Sequence, residues 1–207
     1  MESATDPTLP RLEWLGRVAD AMGVTVSDLL AERTTPESES LSSLPEDKKN
    51  LAGLLRELGV PLMGSSRKGR SFSPEAVVLG VLRVIPSARM VECLPGLLFK
   101  KERDDEKLLR LAKERGLVNR LGFVVDAAVS LAEGIGDRGK AARLRALSKK
   151  LWNERRKEGE EFLMDEAPKD LEFRNWLKKK TPRVGKKWGV YGAYSLERFH
   201  EALERAA

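Results

Sequence analysis

Apolar residues recur every three to four positions over most of the chain, which is the spacing of amphipathic helices. Near the front, Leu12, Leu15, Val18, Ala19 and Met22 follow Thr8 and Pro10, a cap and a first-turn proline. Gly23 stands where a left-handed residue would end that helix. Thr25, Asp28, Leu29 and Leu30 predict a second short helix. Residues 33–46 then turn polar and rich in Ser, Thr, Pro and Glu, as a linker does. Beyond it, Leu51, Leu54, Leu55 and Leu58 predict a helix ending at Gly59. A polar loop over residues 64–70 precedes Ser73-Pro74-Glu75, a strong helix start. The following run to Val84 is nearly all apolar, so that helix should be buried on most sides.

Ser87 opens a further helix, which Pro95 should kink or end. Asp104 or Asp105 caps the next, with Leu108, Leu109 and Leu111, and Gly116 stops it. Residues 117–133 are again strongly apolar. Gly134, Gly136 and Gly139 predict a turn into a long basic helix from about Lys140 to Lys157. After Gly159 the pattern fades until Ser195, which caps a last helix through Leu196, Phe199 and Leu203. The fold class expected is mainly α: a short helix pair over 1–32, a linker over 33–46, and a multi-helix domain over 47–207 with a basic C-terminal half.

Composition agrees and narrows the chemistry. Aromatic residues are 6% of the 207, too few for a sandwich or barrel built on aromatic and β-branched strands. One Cys and one His cannot supply a Cys/His zinc site, which takes about four ligands. They also exclude a disulfide framework, and no cofactor motif is visible. No apolar run approaches the roughly 18 residues of a membrane span, and the first residues lack a basic region followed by an apolar one. A cytoplasmic protein with no membrane partner is expected.

Charge changes the picture more. The net charge is +6, yet residues 1–47 hold ten acids against three bases, which is −7 and leaves +13 for residues 48–207. Three clusters carry the excess. Arg67, Lys68 and Arg70 surround a glycine in the polar loop. Nine bases against three acids lie over 137–158, where three- and four-residue spacing groups Arg145, Lys149 and Arg156 on one face. The third runs over 174–188 without an acid: Arg174, Lys178, Lys179, Lys180, Arg183, Lys186 and Lys187. It is interleaved with Trp176, Trp188, Tyr191 and Tyr194. Cations neutralise phosphates with little sequence preference, and aromatic faces stack on unpaired bases. Candidate nucleic-acid contacts are therefore Arg67, Lys68, Arg70, Arg145, Lys149, Arg156, Lys178, Lys179, Lys180, Arg183, Lys186, Lys187 and Trp188. A basic surface docking an acidic protein, or a solvated loop anchored by its tryptophans, fits the same string.

Two stretches resemble known families. Glu2-Ser3, Pro7-Thr8-Leu9, Leu12, Leu15, Ala19, Asp20-Ala21, Gly23-Val24 and Leu29-Leu30 are similar to the end of a Cro/CI-type (XRE) helix-turn-helix domain, over residues 1–31. That family's recognition helix would lie almost wholly before residue 1, so residues 1–31 alone would not read a major groove in the usual way. A remnant used in packing or dimerisation is the other expectation, which makes a homodimer a candidate assembly. Leu94-Pro95, Leu97-Leu98, Lys107 to Ala112 and Asn119-Arg120-Leu121-Gly122-Phe123-Val124-Val125 resemble the C-terminal domain of abortive-infection type E antitoxins, over about 92–133. There Phe123 stands in a Tyr place. The resemblance implies an antitoxin that represses its own operon beside a nucleotidyltransferase-like toxin.

Catalytic readings have little to stand on. His200 sits on the flank of an amphipathic helix, Cys93 in an apolar one, and Asp104-Asp105-Glu106 at a helix start, where acids complement the macrodipole. The expected function is a non-enzymatic, DNA-associated transcriptional regulator, with an antitoxin as its specific form. The alternative is an adaptor for an acidic protein partner.

Overall fold

The computed structural model describes residues 44–62, 72–85, 87–157, 159–164 and 166–205. The N-terminal helix pair, nearly all of the linker and the loop cations Arg67, Lys68 and Arg70 lie outside the described residues. The chain divides after Ser42, inside the expected linker. Leu44 is buried, and Glu46 is ion-paired to Arg83 at 2.8 Å, so the end of that linker belongs to the helical domain.

The described residues form helices α1 (Lys48–Glu57), α2 (Pro74–Val84), α3 (Ala88–Lys100), α4 (Asp105–Glu114), α5 (Val118–Ile135) and α6 (Arg138–Asn153). Strand β1 (Glu161–Phe162), helices α7 (Leu171–Lys180) and α8 (Arg183–Trp188), strand β2 (Val190–Tyr191) and helix α9 (Leu196–Arg205) follow. The mainly α class is what the pattern predicts. No helix among the described residues is long and apolar enough to cross a membrane.

The caps are those the sequence names. Ser73, Ser87 and Asp104 each accept from a backbone N–H in the first turn of α2, α3 and α4, satisfying donors that a helix start leaves open. α5 is the central element, with Leu121, Val124, Val125, Ala127, Ala128 and Leu131 all fully buried. It leads through Gly136, left-handed at φ 82°, directly into α6. The two form a helical hairpin, and Ala141, Leu144, Leu147 and Leu151 supply the buried stripe of α6.

Two expectations are corrected and a third is narrowed, since of a kink or an end at Pro95 the end does not occur. α3 runs through Pro95 to Lys100 without ending. The lost backbone bond is offset because Val91, Leu94, Leu97 and Leu98, on both sides of the proline, are buried. Gly134 lies inside α5 and Gly139 inside α6, so the turn between them is Gly136-Asp137 alone. α6 stops at Asn153 rather than near Lys157. The buried Asn119 side chain donates to the Arg156 carbonyl at 3.1 Å and accepts from the Arg156 N–H at 3.0 Å, turning the chain out of its helix. Asn119→Ala leaves both backbone groups without that partner. A loss of about 1–3 kcal/mol is expected in urea unfolding, with the helical circular dichroism of the native state kept.

The stretch after Gly159, where periodicity fades, is also structured. Parallel β1 and β2 pair Glu161 with Val190 and Phe162 with Tyr191. Asp170 caps α7 by accepting from Glu172 and Phe173. Thr181 is buried, donates to the Leu177 carbonyl at 2.7 Å and accepts from the Gly192 N–H at 3.0 Å, closing the end of α7 onto β2. Tyr194 donates to the Leu163 carbonyl at 3.0 Å, and burial, with a smaller push from Glu92, raises its phenol pKa.

Candidate nucleic-acid interface

Two of the three basic clusters meet in space. Along α5, Asp126, Val129, Ser130 and Glu133 are spaced by three and four residues and share one face. Along α6, Arg145, Ser148, Lys149 and Trp152 repeat the same spacing. Because the hairpin is antiparallel, these faces border one groove, of about 680 Å³, closed on the third side by Arg183, Val184 and Lys187 of α8. α8 is only six residues long, and the groove stays open to solvent.

Asp126 organises the floor. It accepts from the Ser148 hydroxyl of α6, from Lys187 Nζ at 2.7 Å and from the Trp188 indole N–H at 2.8 Å. One carboxylate thereby holds α6 and α8 to α5, and a half-buried charge meets three donors, as burial of a charge demands. Trp188 is pressed over α5 at Gly122, where a Cβ would come within 2.4 Å of the indole ring. It also meets Trp152 edge to face, with centroids 5.2 Å apart. Arg155 lies 3.3 Å over the Trp152 ring.

The groove brings Arg145, Lys149, Arg183 and Lys187 together from two separate sequence clusters. Arg145 is ion-paired to Glu133 and Lys187 to Asp126. Neither Lys149 nor Arg183 is ion-paired among the described residues. The surface stays cationic after its own acids are counted, four cations against two. Both paired cations are themselves exposed, near 59% and 46%. Exposed pairs are weak, about 0–1 kcal/mol, so an incoming phosphate can replace Glu133 at Arg145 at little cost.

Not every candidate belongs here. Trp188 is 1% exposed, so it has no face for a base; the indole is a core anchor, and its place among the contacts is corrected. Tyr194 is buried too. Arg156 lies past the end of α6, so helical spacing no longer aligns it with Arg145 and Lys149. Its guanidinium instead covers Gly116, where a Cβ would meet Nη2 at 2.8 Å. Lys178 is ion-paired to Glu160 and lies over the Tyr191 ring, which fastens α7 to the strand pair. Arg174 shares Glu160 at 3.3 Å. Lys179, Lys180 and Lys186 remain exposed, and Lys186 donates to the Lys179 carbonyl at 3.4 Å, so the end of α7 and α8 present one cationic rim.

Sequence reasoning missed Asp126 and Trp152. A lone carboxylate in the middle of an apolar helix was the available signal, since such a group needs partners from elsewhere in the fold. The lone His200 is half-buried beside Gly134 of α5, where a Cβ would meet its Cε1 at 3.0 Å. Cys93 is buried.

In comparisons with known protein families, curated proteins and solved structures, the chain matches none.

Proposed function

We propose that this protein binds nucleic acid through the groove between α5, α6 and α8, as the DNA-associated component of a cytoplasmic transcriptional regulator. The observation that carries this is the convergence of Arg145, Lys149, Arg183 and Lys187 on one open groove. The chain fixes it through Asp126 rather than leaving the cations scattered over solvated faces. Helix faces at three- and four-residue spacing hold the cations in a row, and phosphates along a backbone offer a matching row of anions. Such contact is driven by counterion release and is tolerant of sequence. The resemblances to Cro/CI-type and antitoxin domains support the regulatory setting, and the second would supply a toxin as protein partner.

The test is a fluorescence anisotropy titration of a labelled 20-mer, duplex and single-stranded, at several salt concentrations. Binding near physiological salt should fall between about 10⁻⁴ and 10⁻⁶ M, the range of sequence-tolerant binding, and weaken steeply as salt rises. Absence of binding to both forms at low salt would overturn the proposal.

A further inference from the structure

α7 carries an exposed aromatic pair that the groove does not use. Phe173 and Trp176 are 39% and 45% exposed, and their rings stack with centroids 5.7 Å apart and planes 13° from parallel. Large apolar side chains left in water need a reason, and these two are adjacent on one helix face at three-residue spacing. The adjoining face of α7 is committed elsewhere: Arg174 and Lys178 reach Glu160, Phe162 and Tyr191, and Leu177 is buried. The pair is thus held outward by a helix whose inner face is fastened.

What surrounds the pair identifies its occupant. Lys179 and Lys180 occupy the next turn, exposed and without an ion pair among the described residues. Lys186 bonds to the backbone of Lys179, and Arg183 carries the positive surface on into the groove. A flat aromatic surface beside a row of free cations suits a ligand with flat rings and a row of anions. A duplex offers its phosphates but hides its base faces in the stack, whereas an unpaired strand offers both.

We infer that Phe173 and Trp176 form a base-stacking platform for a single-stranded nucleic acid, whose backbone runs from the platform along Lys179, Lys180 and Arg183 into the groove. This rests on the nucleic-acid reading above and adds the strandedness of the ligand. Aromatic stacking is worth about 1–3 kcal/mol per base, roughly 5- to 150-fold in affinity.

The experiment uses the full chain, a labelled single-stranded 20-mer and its duplex. Trp176→Ala should weaken single-strand binding by roughly 5- to 150-fold and leave duplex binding unchanged. Trp176→Phe, which keeps a ring, should restore most of it, and Phe173→Ala should behave like Trp176→Ala. The side chains are exposed, so unfolding curves should match the parent. If both strands bind and Trp176→Ala changes neither, the platform is overturned while the groove reading stands. If neither strand binds the parent protein, the groove reading fails and takes the platform with it. If Trp176→Ala instead dissolves a dimer in sedimentation, the pair is a self-interface and the platform is overturned.

Discussion

Trp188→Ala is expected to lower the free energy of unfolding by about 3–5 kcal/mol, the range for removing a large buried aromatic. The ring is 1% exposed and lies within reach of α5, α6 and the β2 turn. Its removal opens a cavity that Gly122 cannot refill, because that residue has no side chain to move in. The indole N–H is lost as well, leaving Asp126 one donor short. A domain of this size commonly has only about 5–15 kcal/mol in total, so the variant should be partly unfolded at 37 °C. Denaturant unfolding followed by circular dichroism reads it. Trp188→Phe, which keeps much of the volume but not the N–H, should cost less. A loss below about 1 kcal/mol for Trp188→Ala would mean that the indole is not the anchor of α8.

The second large effect is on binding. Replacing Arg145, Lys149, Arg183 and Lys187 together by Ala should weaken nucleic-acid affinity by about 100-fold or more at low salt. Each neutralised phosphate contact contributes about 0.9 to the slope of log K against log salt on duplex, and about 0.7 on a single strand. Four contacts therefore remove about 2.8 to 3.6 from the slope, and the effect is greatest where salt is lowest. Stability should change far less, because these side chains line an open groove and none is in the core. Lys187 is the exception to watch, since it is one of the three donors to Asp126. The Lys187→Ala single variant separates its structural share from its part in binding.

Most of the helices were legible in the chain, and the reason is local. Ser73, Ser87 and Asp104 act as caps within three residues of themselves, and the leucine spacing of α1, α4 and α6 marks their buried faces directly. Where a distant partner decides, local reading ran out. Pro95 looks like a break because its cost is local, while the burial that offsets it is spread over a whole helix. The end of α6 depends on Asn119, 37 residues from Arg156, and nothing near Arg156 announces it. α7 buries only Leu177, so its helical stripe is one residue wide and its lysines hide it.

The candidate site divides along the same line. That residues 137–158 and 174–188 are basic is plain from the chain. That Arg145 and Lys149 share a groove with Arg183 and Lys187, while Arg156 does not, follows from an antiparallel hairpin and a short α8 that only the fold supplies. Trp188 and Trp176 look alike in sequence, each beside lysines. A glycine at 122, 66 positions earlier in the chain, is what draws one of them inward.

The central claim is that the groove, rather than net positive charge, binds nucleic acid. The most direct measurement compares two variants of equal charge by anisotropy across a salt series. One lacks Arg145, Lys149, Arg183 and Lys187. The other lacks Lys49, Arg56, Arg89 and Arg110, exposed cations of α1, α3 and α4. The groove variant should lose about 100-fold in affinity at low salt and flatten in slope by about 3, while the control stays within a few-fold of the parent with its slope nearly unchanged. Equal losses in the two variants would show that bulk charge is responsible and contradict the account.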